Sequence, residues 1–399
     1  MRRTFIIIAI VIVLLGVGVG VYFYLSTRAP SITVAPTGGT DLPVAGQGTP
    51  IPTDAPAGDD QGGTPVPVGA RLVKITTGPI VSGMIAVDMK PVDASSSPDV
   101  AIDYIERQSG NVYSYQVGAA TLTRISNKTI PGIQTASWLP DASLAFVRYL
   151  SGTDFSTINT YALPSNGSDG FFLPQNLADV AVASTSVLTL SSGVNGSVAS
   201  LRHTDGTPIS TVFTTPLSAL RASFAGKNQY LAFSKPSMTL SGSAFLVDST
   251  GHFSRIAGPH NGLVALASPS GKWVLVSFAS DGVMHMELVN TTTAEVTPLP
   301  IGTIADKCAW TADDTTVYCG IPVNPSADQN YPDDWYQGAV HFSDRIWKIQ
   351  VAGRYAQLVL DFPEETNESL DAEALAINPT NTVLVFTNKN DGSLWSYRL

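Results

Sequence analysis

Two features of this chain combine residue types that do chemistry. The first is the pair Cys308 and Cys319, the only cysteines, in "KCAWTADDTTVYCGIP" (307–322). Two thiols at that spacing serve as part of a metal site, a redox switch or a structural staple. The second is a gathering of carboxylates and rings in "PVNPSADQNYPDDWYQGAVHFSD" (322–344) and "DFPEETNESLDAEA" (361–374). These stretches hold Asp328, Asp333, Asp334, Asp361, Glu364, Glu365, Glu368 and Asp371, with Tyr331, Trp335, Tyr336 and His341 among them. Rigid rings amid carboxylates suit stacking on sugar rings, clamping a peptide, or holding Ca²⁺ through carboxylate oxygens. The candidate binding residues are therefore Tyr331, Asp333, Asp334, Trp335, Tyr336, His341, Glu364 and Glu365. The competing reading is a solvated acidic surface in which Trp335 merely pins the loop to its support.

Catalytic motifs are missing from the sequence. It contains no G-x-S-x-G, H-E-x-x-H, G-x-x-x-x-G-K-[ST] or complete EF-hand loop, and it implies no cofactor. Asp333 and Asp334 have the chemistry of a general acid/base pair. Adjacent loop residues point in different directions, however. "NKNDGS" (388–393) resembles a calcium loop faintly and reads better as a hairpin turn.

The composition limits the partners. Lys and Arg number 22 against 32 Asp and Glu, a net charge of −10, with no basic run. Nucleic acid is excluded as a partner, since phosphate binding needs clustered positive charge. Charged residues make up only 14% of the chain, with Ser and Thr in their place, a bias of exported all-β proteins.

The amino terminus points to a compartment. Arg2 and Arg3 precede an uncharged apolar run from Phe5 to Leu25, 21 residues. As a helix it would be about 31 Å long, enough to cross a bilayer's hydrocarbon core. A cleaved signal peptide is the alternative, but such apolar cores normally stop at about 15 residues. Residues 29–70 contain no Lys or Arg, so the positive-inside rule places the amino terminus in the cytoplasm and the rest outside. The expected organisation is a tip and single transmembrane anchor (1–28), a disordered Pro/Gly/Thr-rich linker (29–70) and a folded head (71–399). The expected location is the inner membrane, with the head in the periplasm or on the cell exterior.

The head reads as short apolar runs separated by Gly, Pro, Asn, Asp and Ser, without a convincing amphipathic helix. Units such as "SWLPDASLAFVRY" (137–149), "ASFAGKNQYLAFS" (222–234), "LASPSGKWVLVSF" (266–278), "AWTADDTTVYCGI" (309–321) and "AINPTNTVLVFTN" (376–388) recur. Their second strands centre near Ile102, Ala145, Leu188, Leu231, Leu275, Val317 and Leu384, in steps of 43, 43, 43, 44, 42 and 67. A period of about 40–45 residues with four strands per unit predicts a β-propeller. "RLVKIT" (71–76) looks like a fourth strand but precedes the first unit, while the last unit ends after its third strand. The fold expected is all-β: a seven-bladed propeller of four-stranded antiparallel blades, with the N-terminal strand closing the last blade. The long step places an insertion between the second and third strands of blade 6, beside the connection into blade 7.

The "LPDASLAF" turn (139–146) resembles the PD40-type repeats of TolB-like bacterial propellers, over roughly residues 71–399. The layout also looks like uncharacterised membrane-anchored exported propellers. The resemblance implies a fold and a compartment and transfers no catalytic residue. On this frame Cys308 and Cys319 face each other across a hairpin whose turn centres on Asp313 and Asp314, close enough for a disulfide on the oxidising side of a membrane. Two sulfurs without further Cys or His make a poor zinc site. The function expected is a binding or scaffold module for a protein or cell-envelope glycan. The alternative is an envelope hydrolase or lyase acting on polysaccharide or peptide at the same face.

Overall fold

The polar turns between apolar runs fold the chain back on itself every few residues, and the strands pair with their sequence neighbours. The computed structural model describes residues 70–91 and 98–399, so the expected anchor and most of the linker lie outside the described residues. Among the described residues, no helix is long and apolar enough to cross a membrane.

Seven four-stranded antiparallel sheets follow in chain order. Blade 1 is built from Ile85–Asp88, Val100–Ile105, Val112–Gln116 and Thr121–Ser126. Blade 4 is built from Leu220–Phe224, Tyr230–Ser234, Ser241–Val247 and Phe253–Asn261. Blade 6 comprises Cys308–Trp310, Thr316–Pro322, Asp344–Gln350 and Tyr355–Asp361. Blade 7 takes Ala372–Ile377, Val383–Asn388 and Leu394–Arg398 from the carboxyl end and Leu72–Lys74 from the other end of the head. Leu72 pairs with Tyr397, Val73 with Ser396 and Lys74 with Trp395, so the ring is closed by hydrogen bonds between distant parts of the chain. Closure removes the open edge that an unpaired third strand would present.

Burial explains why the second strands carry the strongest sequence signal. Val100–Ile105 and Val383–Asn388 are buried at every position, because each has a strand on either side and a blade against each face. The outermost Thr121–Ser126 is mostly exposed. The core lies between blades: Ile102, Tyr104 and Tyr115 pack on Val383, Val385 and Leu394, and Ile105 and Val112 pack on Ile133, Val147 and Leu163. A recurring Asp-x-Ser/Thr turn joins strands on both faces, with Asp154 and Asp391 in second-to-third loops and four others on the opposite face. Asp141, Asp205, Asp248 and Asp313 each accept backbone N–H bonds from the residue two further on. Those bonds, with the Ser and Thr hydroxyls, hold the four carboxyls below the usual aspartate range.

Cys308 pairs directly with Cys319 in the blade 6 ladder, with Cα atoms 4.1 Å apart, and the two form a disulfide. The bond closes a short loop in a hairpin that is already paired. Replacing both cysteines by serine is expected to cost about 2–3 kcal/mol, read from the shift in the denaturant midpoint. A midpoint unchanged by both the double substitution and by reductant would show that the crosslink adds nothing.

Candidate functional site

In a propeller the second-to-third loops and the blade-to-blade connections emerge on one face, around the end of the central channel. On this face blade 6 carries residues 323–343, because Pro322 and Asp344 still pair at the base of the loop. A single helical turn, α1 (Asp333–Tyr336), sits in its middle. A second short helix, α2 (Phe362–Thr366), opens the connection into blade 7.

The insertion folds around its own aromatic residues. Tyr331 and Trp335 are buried, with ring centroids 5.5 and 6.5 Å from that of Phe342. The Tyr331 hydroxyl donates to the Ser326 carbonyl at 2.8 Å. This corrects the expectation that both rings face a ligand: each has its faces against protein. The two neighbouring carboxylates diverge. Asp333 accepts from Met238 N in the second-to-third loop of blade 4 at 2.9 Å, and Asp334 accepts from Asn330 N at 2.7 Å. They are joints of the loop, not a facing acid/base pair. His341, Glu364 and Glu365 are exposed, and Tyr336 is 38% exposed. Asp361 is buried against Arg345, Asp328 is exposed, and Asp371 is fully buried.

Asp371 is the centre of a buried ionic knot. Its carboxylate accepts from Trp335 Nε1 at 3.0 Å, from Phe342 N at 2.9 Å and from the Lys307 ammonium. Lys307 is itself wholly buried, 2.7 Å from Asp344, and donates to the Ala372 carbonyl at 2.9 Å. The ammonium also lies 4.9 Å from the Trp335 ring centroid and 5.1 Å from that of Phe342, so both rings stabilise its charge. The insertion, the connection into blade 6 and the connection into blade 7 thus share one cation. Sequence reasoning missed Lys307. Its only signal is a lysine beside Asp306 in the mostly apolar "IGTIADKCAW" (301–310), at the foot of an innermost strand.

Two carboxylates face one ammonium, and their charges do not balance. Burial first, then the neighbouring Asp371 charge, pushes Asp344 up to about 6 against the opposing pull of Lys307. The folded protein holds that proton more tightly than the unfolded chain does. Folding therefore gains on the acid side, and the gain is lost as pH rises from the ordinary value of 3.8 to about 6, then stays flat. Surface aspartates with lowered values slope the other way, so the quantity to measure is the stability of wild type minus that of Asp344→Asn across this window. A falling difference is expected; a rising or constant one would contradict the assignment.

Tyr336 joins the insertion to the channel wall. Its hydroxyl donates to Asp306 at 2.7 Å, and the same carboxylate oxygen takes Arg221 Nη1 at 2.6 Å from the innermost strand of blade 4. Loss of water around its hydroxyl, reinforced by the Asp306 charge, holds the Tyr336 phenol well above its ordinary value although other parts of the residue reach solvent, so it stays a hydrogen-bond donor. Two glycines allow the close seating of the loop. A Cβ on Gly262 would lie 2.6 Å from the Tyr331 carbonyl, and one on Gly282 would lie 2.4 Å from that of Ala327; both have positive φ. Beneath the insertion, a cavity of about 10 Å³ lined by Phe278, Met284, Ile304 and Tyr331 has room for one water. The insertion is therefore a fitted cover at the channel mouth, contacting blades 4 to 7. Among the described residues, no three His, Cys, Asp or Glu side chains are grouped as a metal site requires.

The geometry defines a seven-bladed propeller with an insertion seated on the loops of blades 4 to 7 on one face. No protein-family model and no curated protein matches the chain. It is similar in structure to an oligogalacturonate lyase in complex with manganese, at TM-score 0.52 and 10% identity over 84% of this chain and 94% of that one. It is also similar to the Kuenenia stuttgartiensis hydrazine synthase, at TM-score 0.50 and 13% identity over 82% and 97%. TolB from Acinetobacter baumannii aligns at TM-score 0.42 and 10% identity over 79% and 80%. At these identities the likeness is one of fold.

Proposed function

We propose that the protein is an extracytoplasmic binding or scaffold module, anchored in the inner membrane by residues 5–25 and presenting the insertion-bearing face to a protein or cell-envelope glycan. The observation that carries this reading is the tight seating of the insertion. Its carboxylates and buried rings are engaged in holding the loop, while Tyr336, His341, Glu364 and Glu365 stand at the surface where a partner reaches them. The test is cross-linking mass spectrometry on the membrane-anchored protein. Wild type is compared with a variant carrying His341→Ala, Glu364→Gln and Glu365→Gln, exposed changes that spare the cover. Loss of one or more partners is expected; identical partner lists would sink the reading.

One observation favours the enzymatic alternative, a hydrolase or lyase of polysaccharide or peptide: Arg221, Asp306 and Tyr336 converge within hydrogen-bond distance at the channel mouth. Since one structural neighbour is an oligogalacturonate lyase, oligogalacturonate is the first substrate to assay. Turnover abolished by Asp306→Asn would favour this reading. The raised Tyr336 value argues against the phenol as a base near neutral pH, which leaves the scaffold reading in front.

A further inference from the structure

Among the described residues, Lys307 is the one lysine cut off from water, and the two carboxyl groups it meets, Asp344 and Asp371, are as inaccessible. The two acids are not equivalent. Three N–H donors converge on Asp371: Trp335 Nε1, Phe342 N and the Lys307 ammonium. Asp344 Oδ2 lies 2.7 Å from Lys307 Nζ and accepts Ala372 N at 2.7 Å. Its other oxygen, Oδ1, is buried and has no partner. A buried carboxyl oxygen without a donor is where a proton sits, because a charged and unsatisfied oxygen there is costly. The raised Asp344 value agrees. A Cβ on Gly320 would come within 2.9 Å of Asp344 Oδ2, so the glycine leaves room for this carboxyl.

An amine, a neutral carboxylic acid and a second carboxylate in one dry site are the reactants of amide formation. We infer that Lys307 and Asp344 condense into an amide bond, Nζ to Cγ, with Asp371 as the proton carrier. Asp371 takes one proton from the ammonium, and the freed amine attacks Asp344 Cγ. Charge develops on Oδ2, where the Ala372 N–H already donates. The nitrogen then passes a second proton, through Asp371, to the Oδ1 hydroxyl, which leaves as water. One C–N bond forms, one C–O bond breaks, and Asp371 ends protonated; no oxidant or cofactor takes part. Contact in the folded state replaces a bimolecular encounter. The rings of Trp335 and Phe342, with centroids 4.9 and 5.1 Å from Nζ, keep water from the product.

The bond joins the foot of the innermost strand of blade 6 to the first residue of its third strand and so closes the segment that carries the insertion. With the Cys308–Cys319 disulfide beside it, three strands of one blade are tied covalently. The stability effects given for the ionic knot belong to the uncondensed form. The inference is independent of the partner proposed above.

Mass spectrometry of the purified full-length chain tests it. The intact mass is expected about 18 Da below that of the disulfide-bonded sequence, one water per chain. Trypsin should leave Lys307 uncut, and fragment ions should place the missing water in a ring between Lys307 and Asp344. Lys307→Met should show no such loss. Asp371→Asn, close in shape but unable to carry the proton, should slow the gain of the link in freshly synthesised protein by about a hundredfold or more. Thermal melts confirm that this variant folds, and the wild-type measurement needs no variant at all. A wild-type mass equal to that of the disulfide-bonded sequence would overturn the proposal. So would a water loss that survives in Lys307→Met, a link to Asp371, or unchanged kinetics in Asp371→Asn.

Discussion

Replacing Lys307 with methionine is expected to lower the unfolding free energy by about 3–5 kcal/mol, the cost of stranding buried carboxylates without their cation. Methionine preserves the length and apolar stem, so packing changes little. What remains is Asp344 and Asp371 in a site with no access to water. One of them must then take up a proton, and the variant should become steeply less stable as pH rises, more so than wild type. Adding Asp344→Asn and Asp371→Asn to Lys307→Met should recover part of the loss, since uncompensated charge is the cause. A Lys307→Met protein with an unchanged denaturant midpoint would show that the ammonium is dispensable.

Trp335→Ala is the second large effect. The indole fills the space between Phe342 and the ammonium groups of Lys307 and Lys389, and it donates to Asp371. Truncating a buried tryptophan typically costs about 3–5 kcal/mol. Because the side chain also tethers the cover, limited proteolysis between residues 323 and 343 should accelerate while the blades stay intact. The two losses share partners, so the Lys307→Met/Trp335→Ala double variant should lose less than the sum of the singles. Strict additivity would show that indole and ammonium do not act as one unit.

Much of the fold was legible in the sequence because the repeating element is local. Second strands are buried on both faces, so Ile102, Ala145, Leu188 and their successors announce themselves as apolar runs at nearly constant spacing. The closing strand was legible for a topological reason: a surplus fourth strand at one end and a missing one at the other have one simple solution. The cysteine pairing followed from antiparallel register about the Asp313–Asp314 turn, and the ladder pairs those two residues.

The site was legible in place but not in role. The insertion and the blade 7 connection do meet, through Asp371, Trp335 and Phe342. In a loop, however, no periodicity says which side of a residue faces water. Tyr331 and Trp335 have the composition of a recognition surface and the burial of a core. Lys307, Arg221 and Asp306 were missed because their partners are 30 to 85 residues away in the chain, and charges near strand ends look like ordinary surface.

The central claim is that the insertion is a fitted cover on the channel mouth. Hydrogen exchange on the full-length protein tests it most directly. Peptides spanning residues 330–343 should be protected to the same degree as the blade 6 strands, and that protection should collapse in Lys307→Met. Exchange of this segment in wild type at the rate of an unstructured peptide would contradict the account.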